Sequence, residues 1–236
     1  MFTINGKKAS TFKAKMIDRV ISSNEVITID DWLDGAAAPT FIRQQEKFKK
    51  ISLTVIIEGK DENEVYMMFS KLAAELRFGT LAFDDMDLTF KVVLEGSATP
   101  ERLKKGVYQV EYSLKSAYGM GKEKVEKRQG GDASRFTINN PGTAETPCII
   151  EITPSMSIGQ ITFQGLADKA FQISDLERGQ KIIIDGEQCL ITIDGEINFK
   201  TFDGWGFPTL IPGSNEILVS SALGYSMDIK YKPRYI

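Results

Sequence analysis

Carboxylates are the residues of this chain best suited to chemistry. Asp84, Asp85 and Asp87 form one cluster, and Asp30, Asp31 and Asp34 form another. A pair from either could act as the acid and base of a glycosidase-like hydrolase, or supply oxygens to a Ca²⁺ ion. Neither follows the ligand spacing of a known calcium loop, and acidic residues are common in turns, so the plainer reading is a solvated turn. Trp205 and Phe207, in Asp203-Gly-Trp-Gly-Phe-Pro208, offer a different chemistry. Two aromatic rings there either make a platform for a sugar ring or plug the open end of their own core. The rest of the sequence points away from catalysis. The 236 residues contain no histidine, the side chain used most often as general base, proton shuttle or metal ligand near neutral pH. Ser/His/Asp and Cys/His sets are thereby excluded, and neither a G-x-x-x-x-G-K-[ST] phosphate loop nor a G-x-S-x-G elbow is present. Gly119-Met-Gly121 lacks the third glycine of a dinucleotide fingerprint. Cys148 and Cys189 are too few for a zinc site, and both sit in apolar runs that imply buried thiols. No cofactor, metal or catalytic residue is expected, and the chain does not read as an enzyme.

The elements that would position these residues follow from periodicity. Asp61-Glu-Asn-Glu64 reads as a capping box, and Val65, Met68, Leu72 and Leu76 make one apolar stripe of a helix that Gly79 would close. Ile51, Leu53, Val55 and Ile57 alternate before it; Leu88, Phe90, Val92 and Leu94, then Tyr108, Val110, Tyr112 and Leu114, alternate after it. An α+β unit results, with one main helix on an antiparallel sheet. Asp30 to Gln45 fits neither period and reads as a long loop or protruding hairpin. Its Trp32, Leu33, Phe41 and Ile42 either fold back into their own core or cover a partner.

Charge divides the chain. Residues 1–132 carry 21 Lys and Arg against 20 Asp and Glu, net +1, while 133–236 carry 8 against 12, net −4. Residues 117–134 combine glycines with mixed charge and read as a linker, which gives domains 1–130 and 131–236. The second half contains three Asp-Gly pairs, at 185–186, 194–195 and 203–204, each suited to a tight hairpin turn. Short strands at this spacing indicate a β-sandwich. Pro212-Gly213 takes the central positions of a type II turn leading into a strand. A formal net charge of −3 gives no footprint for sequence-specific nucleic-acid binding. The amino terminus shows no signal peptide and no window is apolar enough for membrane insertion, so synthesis in a cytoplasm is expected.

The two-part layout, the short strand Phe2-Thr-Ile-Asn-Gly6, and Phe207-Pro-Thr-Leu210-Ile-Pro212-Gly213-Ser-Asn215-Glu-Ile217 together resemble the distal tail protein (Dit) family of siphophages and prophages of Gram-positive bacteria. The resemblance implies a mainly β protein: a tail-tube-like α+β domain followed by a galectin-like β-sandwich. It implies a non-enzymatic structural part of the virion tail tip, a hexameric ring joining the tail tube protein to the tail-associated tip protein. In some members the ring also holds a receptor-binding protein. It makes the segment from about 30 to 45 a belt that buries Trp32, Leu33, Phe41 and Ile42 on a neighbouring subunit. It assigns Phe207, Leu210, Pro212, Gly213, Asn215 and Ile217 to the family motif. The sandwich lacks the histidine of the galectin sugar-contacting set, and the chain is too short for an inserted glycan-binding module. A carbohydrate-binding module for host cell-wall recognition, using Trp205 and Phe207, is the alternative function.

Overall fold

The computed structural model describes residues 1–35, 37–130, 134–220 and 224–236. It divides into two compact units, Met1–Met120 with Ile236, and Gly121–Tyr235. The composition-based boundary between 130 and 131 abuts residues 131–133, which lie outside the described residues.

The first unit contains β1 (Phe2–Ile4), β2 (Ala14–Asp31), β3 (Thr40–Glu58), α1 (Glu62–Leu76), β4 (Phe78–Phe83), β5 (Thr89–Glu95) and β6 (Val107–Ser116). They form one antiparallel sheet in the order β1-β4-β5-β6-β3-β2. The alternating residues of β3 and β6 bury Leu53, Val55, Ile57, Val110 and Tyr112 on the face that receives Val65, Leu72 and Leu76 of α1. The helix starts where Asp61 accepts from Glu64 N at 2.8 Å, while the Glu64 carboxylate accepts from Lys60 N at 2.7 Å. Such a cap is worth about 1 kcal/mol. Gly79 is not the helix cap: α1 ends at Arg77 in right-handed helical geometry, and Gly79 lies inside β4. A Cβ on Gly79 would stand 2.7 Å from Glu75 O and 2.8 Å from the Ile4 side chain, so close packing, not a turn, requires the glycine.

The second unit contains β7 (Lys124–Gly130), β8 (Ser134–Asn140), β9 (Thr146–Pro154), β10 (Ile158–Gln164), β11 (Phe171–Leu176), β12 (Ile182–Asp185), β13 (Leu190–Ile193), β14 (Gly213–Ser220) and β15 (Tyr225–Tyr231). One sheet runs β7-β15-β9-β12-β13 and the other β8-β14-β10-β11. Ile150, Ile184 and Ile229 of the first sheet share one core with Phe163, Ile173 and Ile217 of the second, which makes a β-sandwich. Residues 124–130 are thus not linker. They pair along β15 from Lys124↔Tyr231 to Gly130↔Tyr225 as an edge strand, and an edge tolerates the charges that disguise it in the sequence.

Of the three Asp-Gly pairs, only Asp194-Gly195 has both residues at positive φ, 51° and 89°, between β13 and Glu196–Ile197. At Asp185-Gly186 the carboxylate caps Glu187 N and Gln188 N, and the positive φ falls on Cys189. Gly204 is needed because a Cβ there would lie 2.5 Å from Phe171 Cβ. Among the described residues no helix is long and apolar enough to cross a membrane.

Candidate functional site

Two places stand out once the strands are in position: the end of the β2-β3 hairpin, and the Pro212-Gly213 turn with its surroundings.

The hairpin pairs from Ala14↔Ile57 at its base to Asp31↔Thr40 near its tip, so of the two readings of the segment from 30 to 45 the structure takes the protruding hairpin, its strands reaching Asp31 on one side and resuming at Thr40 on the other. β6 covers β3 only over Lys49–Glu58. Beyond that, β2 is the sole sheet neighbour of Thr40–Phe48 among the described residues, making a two-stranded ribbon of about 30 Å at 3.3 Å per residue. Ribbons of two strands are marginally stable in water on their own. The root is therefore pinned. Register shifts flank Asn24, whose Nδ2 donates at 2.8 Å to Lys47 O and at 2.8 Å to Ala117 O. Ser22 Oγ accepts from Lys50 N at 2.8 Å. Lys49, opposite Asn24, is buried, and that burial pulls its pKa below the usual lysine range.

Outward of the root the ribbon leaves large apolar side chains bare among its charged ones. Trp32 is 63% exposed, and Leu33, Phe41 and Ile42 are similarly open; none of the four belongs to the core of this chain. Val26, Ile27 and Phe48 add to the surface and escape a reading centred on the loop. The β-branched run Val26-Ile-Thr-Ile29 is the signal that a strand reaches this far.

The turn in the second unit shows what its motif residues do. Gly213 has φ +84°, a left-handed value that glycine adopts without strain, and Leu210 and Ile217 are buried on either side. Asn215, itself buried, accepts from Ile211 N at 2.8 Å and donates to Ile211 O, Gly213 O and Ile138 O at 2.9 to 3.3 Å. Asn140 reaches the same turn, donating to Leu210 O and Ile211 O at 3.3 Å. The two amides hold the turn against β8, and Asn140 has no counterpart in the motif read from sequence. Pro212 is exposed and sets the entry into the turn.

Phe207 and Trp205 part company. Phe163, Phe171, Phe202 and Phe207 form a ladder of rings with successive centroid distances of 5.0, 5.7 and 5.4 Å, so Phe207 closes the core. Trp205 is 92% exposed.

The carboxylate clusters have other duties or none. Arg19 donates to both oxygens of Asp85 at 2.6 and 2.7 Å while its guanidinium stacks over Phe83, and this hydrogen bonding holds Asp85 below the usual carboxylate range. Asp84 faces the amino terminus at 3.5 Å. Asp30, Asp31 and Asp34 are exposed on the ribbon. Among the described residues no group of His, Cys, Asp and Glu could hold a metal ion. Cys148 is buried, which pushes its thiol pKa up; Cys189 is exposed, contrary to the apolar run around it, because the turn at positive φ carries it outward.

Residues 141–235, the span of this turn and most of the sandwich, match the family model for the C-terminal domain of the siphovirus-type tail component. Among solved structures, the Dit protein (gp 19.1) of SPP1, described as a paradigm of the hub adsorption apparatus in phages infecting Gram-positive bacteria, has the same fold. Its TM-score is 0.77 at 13% identity, over 98% of this chain and 99% of that one. Chains of the phage P2 baseplate in its activated conformation are similar too: with Ca, TM-score 0.53 at 12% identity, and with Sr, 0.54 at 13%, each over 95% of this chain and 92% of the other. No curated protein matches the sequence. Over residues 141–235, then, the chain is similar to the C-terminal domain of the siphovirus-type tail component, and over 98% of its length it has the fold of the SPP1 Dit protein.

Proposed function

We propose that the protein is a non-enzymatic structural subunit of the virion tail tip, assembled in the host cytoplasm, and that its copies close into a hexameric ring. The ring joins the tail tube protein on one face to the tail-associated tip protein on the other, and its sandwiches are the place for a receptor-binding protein where one is carried. One observation supports this most: a ribbon of about 30 Å on which Trp32, Leu33, Phe41 and Ile42 stay exposed among the described residues. Exposed apolar side chains on a strand pair with open edges are costly in an isolated subunit and valuable as a belt. A neighbour laid against this ribbon removes the four side chains from water and completes the edges. Each interface of such a ring is expected to bury more than about 1,200 Å².

The test is assembly. Light scattering and sedimentation of the wild-type chain at rising concentration should show a closed oligomer, and Trp32→Ser with Phe41→Ser should leave a folded monomer. Monomer alone at every concentration, with or without the tail tube and tip proteins, would sink the belt. A variant that still assembles would do the same.

A further inference from the structure

The indole of Trp205, 92% exposed, stands at a pocket of about 520 Å³ in the second unit, a size suited to a small molecule. Phe207 forms part of its wall, and Glu145, Asp168, Lys169 and Glu216 line it as well. Tryptophan is rarely left this bare, since a buried indole removes roughly 150–250 Å² from water. Three features define what would cover it. The ring offers a flat apolar face to a ligand that also carries hydrogen-bonding groups. Three carboxylates beside one lysine make the surroundings rich in acceptors, and with Glu216 paired to Arg135 the remaining two against Lys169 still disfavour an anion. Glu216 is engaged by Arg135 at 3.3 Å, so Glu145, Asp168 and Lys169 are the groups left to bind. The exposed apolar area here, Trp205 with Ile211 nearby, falls well short of the roughly 800 Å² per partner that a stable protein interface buries.

We propose that this pocket binds a neutral saccharide. A pyranose ring stacks its C–H face on the Trp205 indole, and its hydroxyls donate to Asp168 and Glu145 and accept from Lys169. The pocket needs no histidine and gives the tail tip a carbohydrate contact separate from the ribbon.

Saturation-transfer NMR on the full chain, with neutral tetrasaccharides of glucose, galactose and N-acetylglucosamine as probes and polyglycerol phosphate as the anionic control, reads this directly. At least one neutral probe should show saturation on its ring protons. Trp205→Ala should weaken that binding tenfold or more, Asp168→Asn several-fold, and Trp32→Ser not at all. Because Trp205 is exposed, Trp205→Ala keeps the melting temperature of the wild type. Silence from all three neutral probes, binding unchanged in Trp205→Ala, or preference for polyglycerol phosphate would each overturn the proposal. So would a Trp205-dependent complex with another tail protein in the absence of any saccharide signal.

Discussion

The side-chain amide of Asn24 donates to the backbone carbonyl of Ala117 at 2.8 Å across 93 residues of sequence, and from the same nitrogen to Lys47 O at 2.8 Å. One side chain thus fastens the hairpin to the end of β6 at the point where the sheet stops and the ribbon begins. Its Oδ1 is buried and meets no hydrogen-bond partner among the described residues, so the two donated bonds carry the contact. Asn24→Ala should cost about 1–3 kcal/mol by leaving two carbonyls unpaired. Hydrogen exchange should accelerate across 25–47 while amides of α1 stay protected.

Leu53 and Trp32 belong to the same hairpin and should behave oppositely. Leu53 is fully buried and Trp32 is 63% exposed. Denaturant unfolding of the monomer should give about 2–5 kcal/mol for Leu53→Ala and a change within about 0.5 kcal/mol for Trp32→Ser.

Two glycines at and near the Pro212-Gly213 turn separate conformation from contact. Gly213 and Gly165 both have φ +84°, but a Cβ on Gly213 meets nothing within 4 Å, whereas one on Gly165 would lie 2.1 Å from Glu216 O. Gly213→Ala should cost about 1–2 kcal/mol, the strain of a left-handed residue. Gly165→Ala must also displace β14, and thermal melts should show clearly the larger loss.

Acid sensitivity should trace in part to Glu151. Lys230 donates to it at 2.6 Å and Lys181 lies at 3.4 Å; the Lys230 hydrogen bond, foremost, holds the carboxyl below its ordinary value of 4.5. A depressed carboxylate contributes stability that is present above the unfolded value and lost as pH falls through the folded one. Glu151→Gln should be less stable than wild type at neutral pH, and the gap should close as the pH is lowered below about 4.5. Lys230, raised by the same bond, makes its contribution below 10.5 and loses it as pH climbs through its folded value.

Thiol reactivity should be one of two. Cys189 is exposed and Cys148 is buried with its pKa pushed up, and the thiolate is the reactive form. Titration with a disulfide reagent should consume one equivalent in the native protein and a second only on unfolding.

Helix α1, the alternating strands β3, β5 and β6 and the sandwich class were legible because period and capping are local: Asp61 caps Glu64 three residues on, and Leu53 and Val55 differ in no respect that the chain must fold to reveal. Edge elements were less legible. Lys124–Gly130 reads as solvated connection because an edge strand needs only one neighbour, β15, whose residues from Tyr231 back to Tyr225 lie far along the chain. Gly79 and Gly204 resemble turn signals, yet each answers to an atom contributed from elsewhere in the chain, Glu75 O and Phe171 Cβ.

By itself, then, the sequence determined the chemical vocabulary: no histidine, an acidic second half, apolar side chains at 32, 33, 41 and 42, and a Pro-Gly turn in front of a strand. The tertiary structure decided what remained uncovered. It put Phe207 on a ladder of rings and left Trp205 bare, and it ended β6 at Ser116 so that, among the described residues, the hairpin continued without a third strand. Residue type and spacing fix which side chains prefer to leave water; only the placement of distant strands fixes which of them can, and those that cannot mark the surfaces where this protein meets something else.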